Sequence, residues 1–297
     1  MTARPLINDP TTDKKDAALK AQRFKMLEDI ARELAGDVSF PTCFDVALQL
    51  RNKLRDPDAS LRDIARVVRL EPLVSAKILR VANSAAYNPM GKQVTEIEAA
   101  LNRVGINLAR TVALAVAMDQ LLQSKGLADF ADISQGLWTH TLQTTAAARV
   151  LARRLTRINP EDALLAGLVH DLGAFYMLYR AAQYEELRIR PDTVKYLIAQ
   201  WHESIGESLL TALGLPEMIV EATRDHDQPR GFIATPRNLA DIVYVANVMA
   251  GGIQEWSRLH DEGEALMGEY QTDTYLQLGE EIEAEYNELM NSLSGNA

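Results

Sequence analysis

The chain has 297 residues, 47% of them hydrophobic, which is enough apolar content for one large core or two packed subdomains and argues against general disorder. A net charge of −10 opposes nucleic acid as a general partner, because that affinity comes largely from Lys and Arg neutralising phosphates. The single cysteine, Cys43, cannot close an intramolecular disulfide and suits a reducing cytoplasm, and no apolar run reaches membrane-spanning length.

Met1 to Asp16 mix Pro, Thr, Asp and Lys without an apolar stretch and read as a flexible tail, neither signal peptide nor anchor. From there the periodicity is helical nearly throughout, so the expected fold is an all-α multi-helix bundle. Cys43, Val46, Ala47, Leu50 and Leu54 recur at helical steps until Asp56-Pro57, where proline stops the helix; Cys43 is expected in the core. Ser60 is the expected N-cap of a stripe through Leu61, Ile64, Ala65 and Val68, and Glu71-Pro72 opens a helix carrying Val74, Ile78, Val81 and Ala82. Val94 to Leu101 and Leu108 to Leu122 follow as two helices separated by Gly105.

Lys125 to Asp132 breaks the periodicity. The expected organisation is therefore a tail over 1–16, an N-terminal helical subdomain over 17–127, a second helical subdomain over 128–260 and an acidic C-terminal helix over 261–297. Asn159-Pro160 supplies an N-cap and a first-turn proline for the segment leading to His170-Asp171, which is expected to be helical. Leu239, Ile242, Val243, Ala246, Met249 and Ile253 form a further stripe, and Glu280 to Leu293 is a terminal helix expected to pack on the body.

Four of the five histidines, His140, His170, His202 and His226, lie in this second half on helix-like segments, and two are followed by aspartate: His170-Asp171 and His226-Asp227. Burying a His-Asp pair is costly unless both groups find partners, so the recurrence calls for a shared site. His140 shares a helical face with Leu137, Thr144, Ala147 and Leu151 and is expected to point inward; Gly167 and Gly173 would let another helix or a ligand approach the dyad closely.

The order His, His-Asp, His, His is the ligand order of the HD superfamily of metal-dependent phosphohydrolases. With Phe40-Pro-Thr-Cys43, Ala76 to Ser84, Val94 to Ala100, Gly167 to Gly173 and Gly214-Leu-Pro216, the chain resembles the HDOD branch, the HD-related output domains, over roughly residues 24 to 250. The resemblance implies that His140, His170 and Asp171 hold a divalent ion (Mn, Fe, Mg or Zn), with His202, His226 and Asp227 at a second ion or facing a phosphate. Two positions depart from the family pattern. Ala174 stands where relatives carry a phosphate-binding Lys, and Asn247 where an Asp usually closes the site. The Gly-Tyr-Pro signature of the cyclic-dinucleotide phosphodiesterases is also absent.

The resemblance therefore implies a cytoplasmic bacterial signalling module that acts through contacts with a signalling protein and lacks efficient catalysis, its metal set vestigial. In the alternative reading it is a metal-dependent phosphohydrolase of a nucleotide or cyclic dinucleotide, and a nucleotide is also a candidate ligand of the regulatory form. The histidines have a plainer reading too, as core residues hydrogen-bonded to Asp171, Asp227 and backbone carbonyls. Ser60 to Ser84 has the outline of a helix-turn-helix with Arg62, Arg66, Arg69, Lys77 and Arg80, but short helix pairs are ordinary packing units and the acidic total opposes DNA.

Overall fold

The computed structural model describes residues 17–35, 41–252, 268 and 270–293, and these contain helices and no strand. The tail, Phe40, Ile253 and His260 lie outside the described residues. In chain order the elements are α1 (Ala17–Ala35), a 3₁₀ turn (Thr42–Phe44), α2 (Asp45–Leu54), α3 (Leu61–Arg69), α4 (Pro72–Asn83) and α5 (Ile97–Leu122). A second 3₁₀ segment (Lys125–Phe130) leads into α6 (Ala131–Leu155), α7 (Pro160–Val169), α8 (Leu172–Ala181), α9 (Glu185–Arg188) and α10 (Pro191–Ala212). The remainder are α11 (Glu217–Ala222), α12 (Leu239–Met249), α13 (Asp273–Leu276) and α14 (Gly279–Leu293).

Several helix boundaries follow local chemistry visible in the sequence. Ser60 and Asp63 close a reciprocal capping box on α3, while Glu71 caps α4 ahead of Pro72. Asn159 and Asn238 accept first-turn amides of α7 and α12 through their side chains. Gly105, at φ +82° and ψ 166°, breaks α5 into two helical runs, as expected, although the first run starts at Ile97 and not at Val94.

The apolar faces bury one continuous core that crosses the expected 127/128 boundary, since α5 packs on α7 and α8 as well as on α2, α3 and α4. Helix α6 runs through the centre, flanked by α7, α12 and α14. Cys43 is only partly buried at the core's edge, where burial pushes its thiol up to about 11.

Candidate metal centre

Two of the histidine segments are not helical. His170 caps the end of α7 and Asp171 the start of α8, so the dyad occupies the turn between them. His226 and Asp227 lie in the turn after α11, just past Asp225, whose φ of +51° is a left-handed conformation that Asp tolerates better than most residues. His140 on α6 and His202 on α10 are helical, as expected.

Close helix contacts bring these segments together. A Cβ on Gly173 would overlap the carbonyl oxygen of His202 and lie 2.7 Å from the nitrogen of Gly206, so α8 can rest on α10 only with glycine there. Gly167 does the same for α7 against α6, where an added Cβ would lie 2.9 Å from Thr145 Cα. Both glycines thus admit another helix.

All four imidazoles are fixed through Nδ1 to a backbone carbonyl. The partners are Ala250 O at 3.3 Å for His140, Gly167 O at 2.7 Å for His170, Ile198 O at 2.8 Å for His202 and Thr223 O at 2.8 Å for His226. A carbonyl only accepts, so each Nδ1 carries the hydrogen and each Nε2 turns inward. The Nε2 atoms of His140 and His170 are 3.1 Å apart, and those of His202 and His226 are 3.4 Å apart. Each such contact is a hydrogen bond only if one ring gains a second proton; otherwise two lone pairs face each other.

Asp171 lies between the two pairs. Its Oδ2 is 3.3 Å from His170 Nε2 and 3.7 Å from His140 Nε2, and its Oδ1 is 3.2 Å from His226 Nε2 and 3.5 Å from His202 Nε2. Two ligands with bonds of about 2.1 Å to one ion sit about 3.0 Å apart at octahedral and about 3.4 Å apart at tetrahedral angles. Both triads match those edges, with Asp171 common to them. Carbonyl-anchored imidazoles are also the usual support of metal-ligating histidine. The donor set therefore fits one or two divalent ions.

Asp227 joins the second triad, 3.4 Å from His202 Nε2. The Asn247 amide nitrogen donates to His226 O at 3.1 Å and to Asp227 Oδ1 at 2.8 Å, orienting both. The Asn247 Oδ1 atom is buried without a hydrogen-bond partner and lies against Gly252, where an added Cβ would also meet His140 Cε1. Ala174 is fully buried within α8. Thr144, four residues along α6 from His140, brings its hydroxyl within 3.3 Å of Nε2, and Glu203 accepts the amide of Asp227 at 3.1 Å. Thr144 was legible as a residue on the face of His140; the carbonyl partners and Glu203 carry no sequence signal.

The electrostatics divide the two pairs. Burial, with the neighbouring His170 charge, pushes His140 down to about 4. Burial opposes charge on His226 as well, but Asp227 and Asp171 outweigh it and raise this imidazole to about 10; the hydrogen bond to Asp227 likewise raises His202. Asp171, despite burial, is held well below the ordinary carboxylate range by the histidines around it. Without metal, the aspartates thus favour the charged form of His226 and His202, and burial favours the neutral form of His140.

Residues 40–229 match the HDOD domain. The chain belongs to the HDOD family. Solved structures similar to it include a candidate metal-dependent phosphohydrolase from Shewanella amazonensis SB2B, with a TM-score of 0.65 at 24% identity over 90% of this chain and 99% of that one. An HDOD domain protein of unknown function from Geobacter sulfurreducens follows, with a TM-score of 0.56 at 19% identity over 93% and 98% of the two chains. A candidate signal transduction protein from Marinobacter aquaeolei VT8 has a TM-score of 0.50 at 20% identity over 92% of this chain and 66% of that one. At these identities the likeness shows the all-helical HDOD fold. No curated protein matches the chain.

Proposed function

We propose that this HDOD protein is a signal-transduction module whose second half is organised around a divalent-metal centre, with output through contacts to a signalling protein. One sub-site comprises His140, His170 and Asp171; the other comprises Asp171, His202, His226 and Asp227. The convergence of four carbonyl-anchored imidazoles on the two oxygens of one aspartate carries the reading, which supports metal binding over a purely hydrogen-bonded core. Imidazole-rich donors favour Fe or Zn over Mg.

A bound ion there supplies Lewis acidity and lowers the pKa of its water. The surrounding residues do not favour efficient hydrolysis. His140, His170, Asp171, His202 and His226 are each 5% exposed or less, and Ala174 offers no cation to a phosphate. A scaffold needs preserved shape and no reactive centre. One observation favours the alternative, a phosphohydrolase of a nucleotide or cyclic dinucleotide: the Asp227 side chain, at 16% exposed, gives the second sub-site a route to solvent.

Of the five cations of the helix-turn-helix outline, Lys77 and Arg80 donate to Leu293 O and Asn291 O, while Arg62 and Arg69 near Glu98 and Arg66 near Asp63 form only exposed surface pairs, so the non-DNA reading rests on the acidic total. Among the described residues, no helix is long and apolar enough to cross a membrane. That observation and the lone cysteine support a cytoplasmic setting.

The test is elemental analysis followed by a phosphodiesterase panel with manganese and iron. Bound metal with weak or no turnover is expected. Robust turnover abolished by His170→Ala would restore the enzyme.

A further inference from the structure

The C-terminal helix α14 carries five glutamates and no Lys or Arg, and it lies outside the family match. It rests in a groove whose cations all lie inside that match. Arg153 and Arg154 each reach Glu281 at 2.7 Å, and Arg149 reaches Glu285 at 2.6 Å in a buried pair. At the other end Lys77 and Arg80 of α4 donate to the carbonyls of Leu293 and Asn291, placing positive charge at the negative end of the helix. The groove thus reads both the acidic face and the direction of a helix.

Two features indicate that α14 is a replaceable occupant. Arg149 also pairs with Glu161 and Tyr87, which do not belong to α14, so its position in the groove does not depend on that helix. The contact beneath α14 also has a polar edge: a cavity of about 20 Å³, room for one water, lies between Arg149, Leu108, Thr111 and Leu289. Only Glu285, Leu289, Ser292 and Leu293 of α14 are buried. Buried ion pairs fix geometry more than they add net stability, because desolvation offsets the attraction.

We infer that the groove between α4 and α6 is a docking site for an acidic amphipathic helix of a partner protein, and that α14 occupies it as an intrachain competitor. This deepens the signalling reading by giving the partner a surface and a chemistry. It does not depend on the metal centre, and the test below reads no metal, so its failure would leave that centre standing.

The probe is a fluorescein-labelled synthetic peptide of residues 279–293, titrated into the full-length protein and into its Leu289→Asp variant. A tethered helix competes at an effective concentration of order 1 mM, so for a peptide that binds the open groove with a Kd of order 10 μM, Leu289→Asp should bind it about 100-fold more tightly than the unsubstituted protein. A peptide carrying Glu281→Gln and Glu285→Gln should bind that variant at least about tenfold more weakly, since both groups face arginines. Equal peptide affinity for the two folded proteins would overturn the inference, as would binding of a single-stranded oligonucleotide in preference to the peptide. Should Leu289→Asp fail to fold, hydrogen exchange in the unsubstituted protein decides. The α14 amides should exchange at least about tenfold faster than those of α6, and exchange of both only in one global event would refute a replaceable helix.

Discussion

The pair Gly173 and Gly206 permits a test of how the centre is assembled. They face each other across α8 and α10, but their surroundings differ. A Cβ on Gly173 would meet the carbonyl of His202 and lie 2.7 Å from Gly206 N, where ordinary contact begins at 3.4 Å, so the helices must separate by at least about 0.7 Å. The obstructing atoms are backbone, which cannot rotate away. A Cβ on Gly206 meets Gly173 N at 3.4 Å and Cα at 3.7 Å, an ordinary contact. Overpacking typically costs about 1–3 kcal/mol, and the rigid obstruction places Gly173→Ala near the upper end, about 3 kcal/mol. Gly206→Ala lies inside α10 and should gain up to about 1 kcal/mol of helix propensity. At roughly 2–4 °C per kcal/mol, Gly173→Ala should lower Tm by about 6–12 °C, while Gly206→Ala should leave it unchanged or raise it slightly. Gly173→Ala should also weaken metal binding at the second sub-site, because it displaces α10 with His202. Equal melting temperatures for the two variants, measured by circular dichroism, would refute the close-approach argument.

The metal-free protein should have a stability optimum near the unfolded histidine pKa of about 6.5. The depressed His140 contributes stability that is lost as pH falls from that value through about 4, and the raised His226 contributes stability that is lost as pH rises from it through about 10. Thermal melts in chelator across that range check both limbs, and a Tm that rises steadily from pH 6.5 to 10 would contradict the His226 assignment. Asn247→Asp sets a carboxylate against Asp227 in place of an amide donor and should destabilise the metal-free protein by about 3–5 kcal/mol. Added divalent metal should then raise its Tm more than that of the unsubstituted protein, and an equal rise in both would show that position 247 does not face the ion. Leu168→Ala removes a fully buried side chain and should cost about 2–5 kcal/mol in a denaturant titration, abolishing signalling through loss of fold. His170→Gln should spare signalling where the fold survives.

The all-helical fold was legible because its determinants are local: capping at Ser60 and Asn159, the opening at Glu71-Pro72 and the stop at Asp56-Pro57 act within a few residues of themselves. The inward-facing residues of the centre were legible from order and family resemblance. Their local backbone was not. His170-Asp171 follows an apolar run that reads as helix, and His226-Asp227 was read as helix-like too, yet both dyads occupy turns in which each imidazole bonds the carbonyl three residues earlier. Asn247 shows the same limit. Its type gave no sign that its amide orients Asp227 and His226, which depends on a contact across 20 or more positions of chain. The expected boundary at 127/128 follows a real break in periodicity, occupied by a 3₁₀ segment, yet side chains from both flanks share one core.

The metal content of the full-length protein, purified without chelator and measured by inductively coupled plasma mass spectrometry, tests the central claim most directly. The two triads that share Asp171 predict uptake of two divalent ions per chain after equilibration with manganese or iron. His226→Gln should keep the ion at His140 and His170 and lose the other. Only trace metal in the unsubstituted protein after that equilibration, with its Tm unchanged, would contradict a metal centre and leave the four histidines as hydrogen-bonded core.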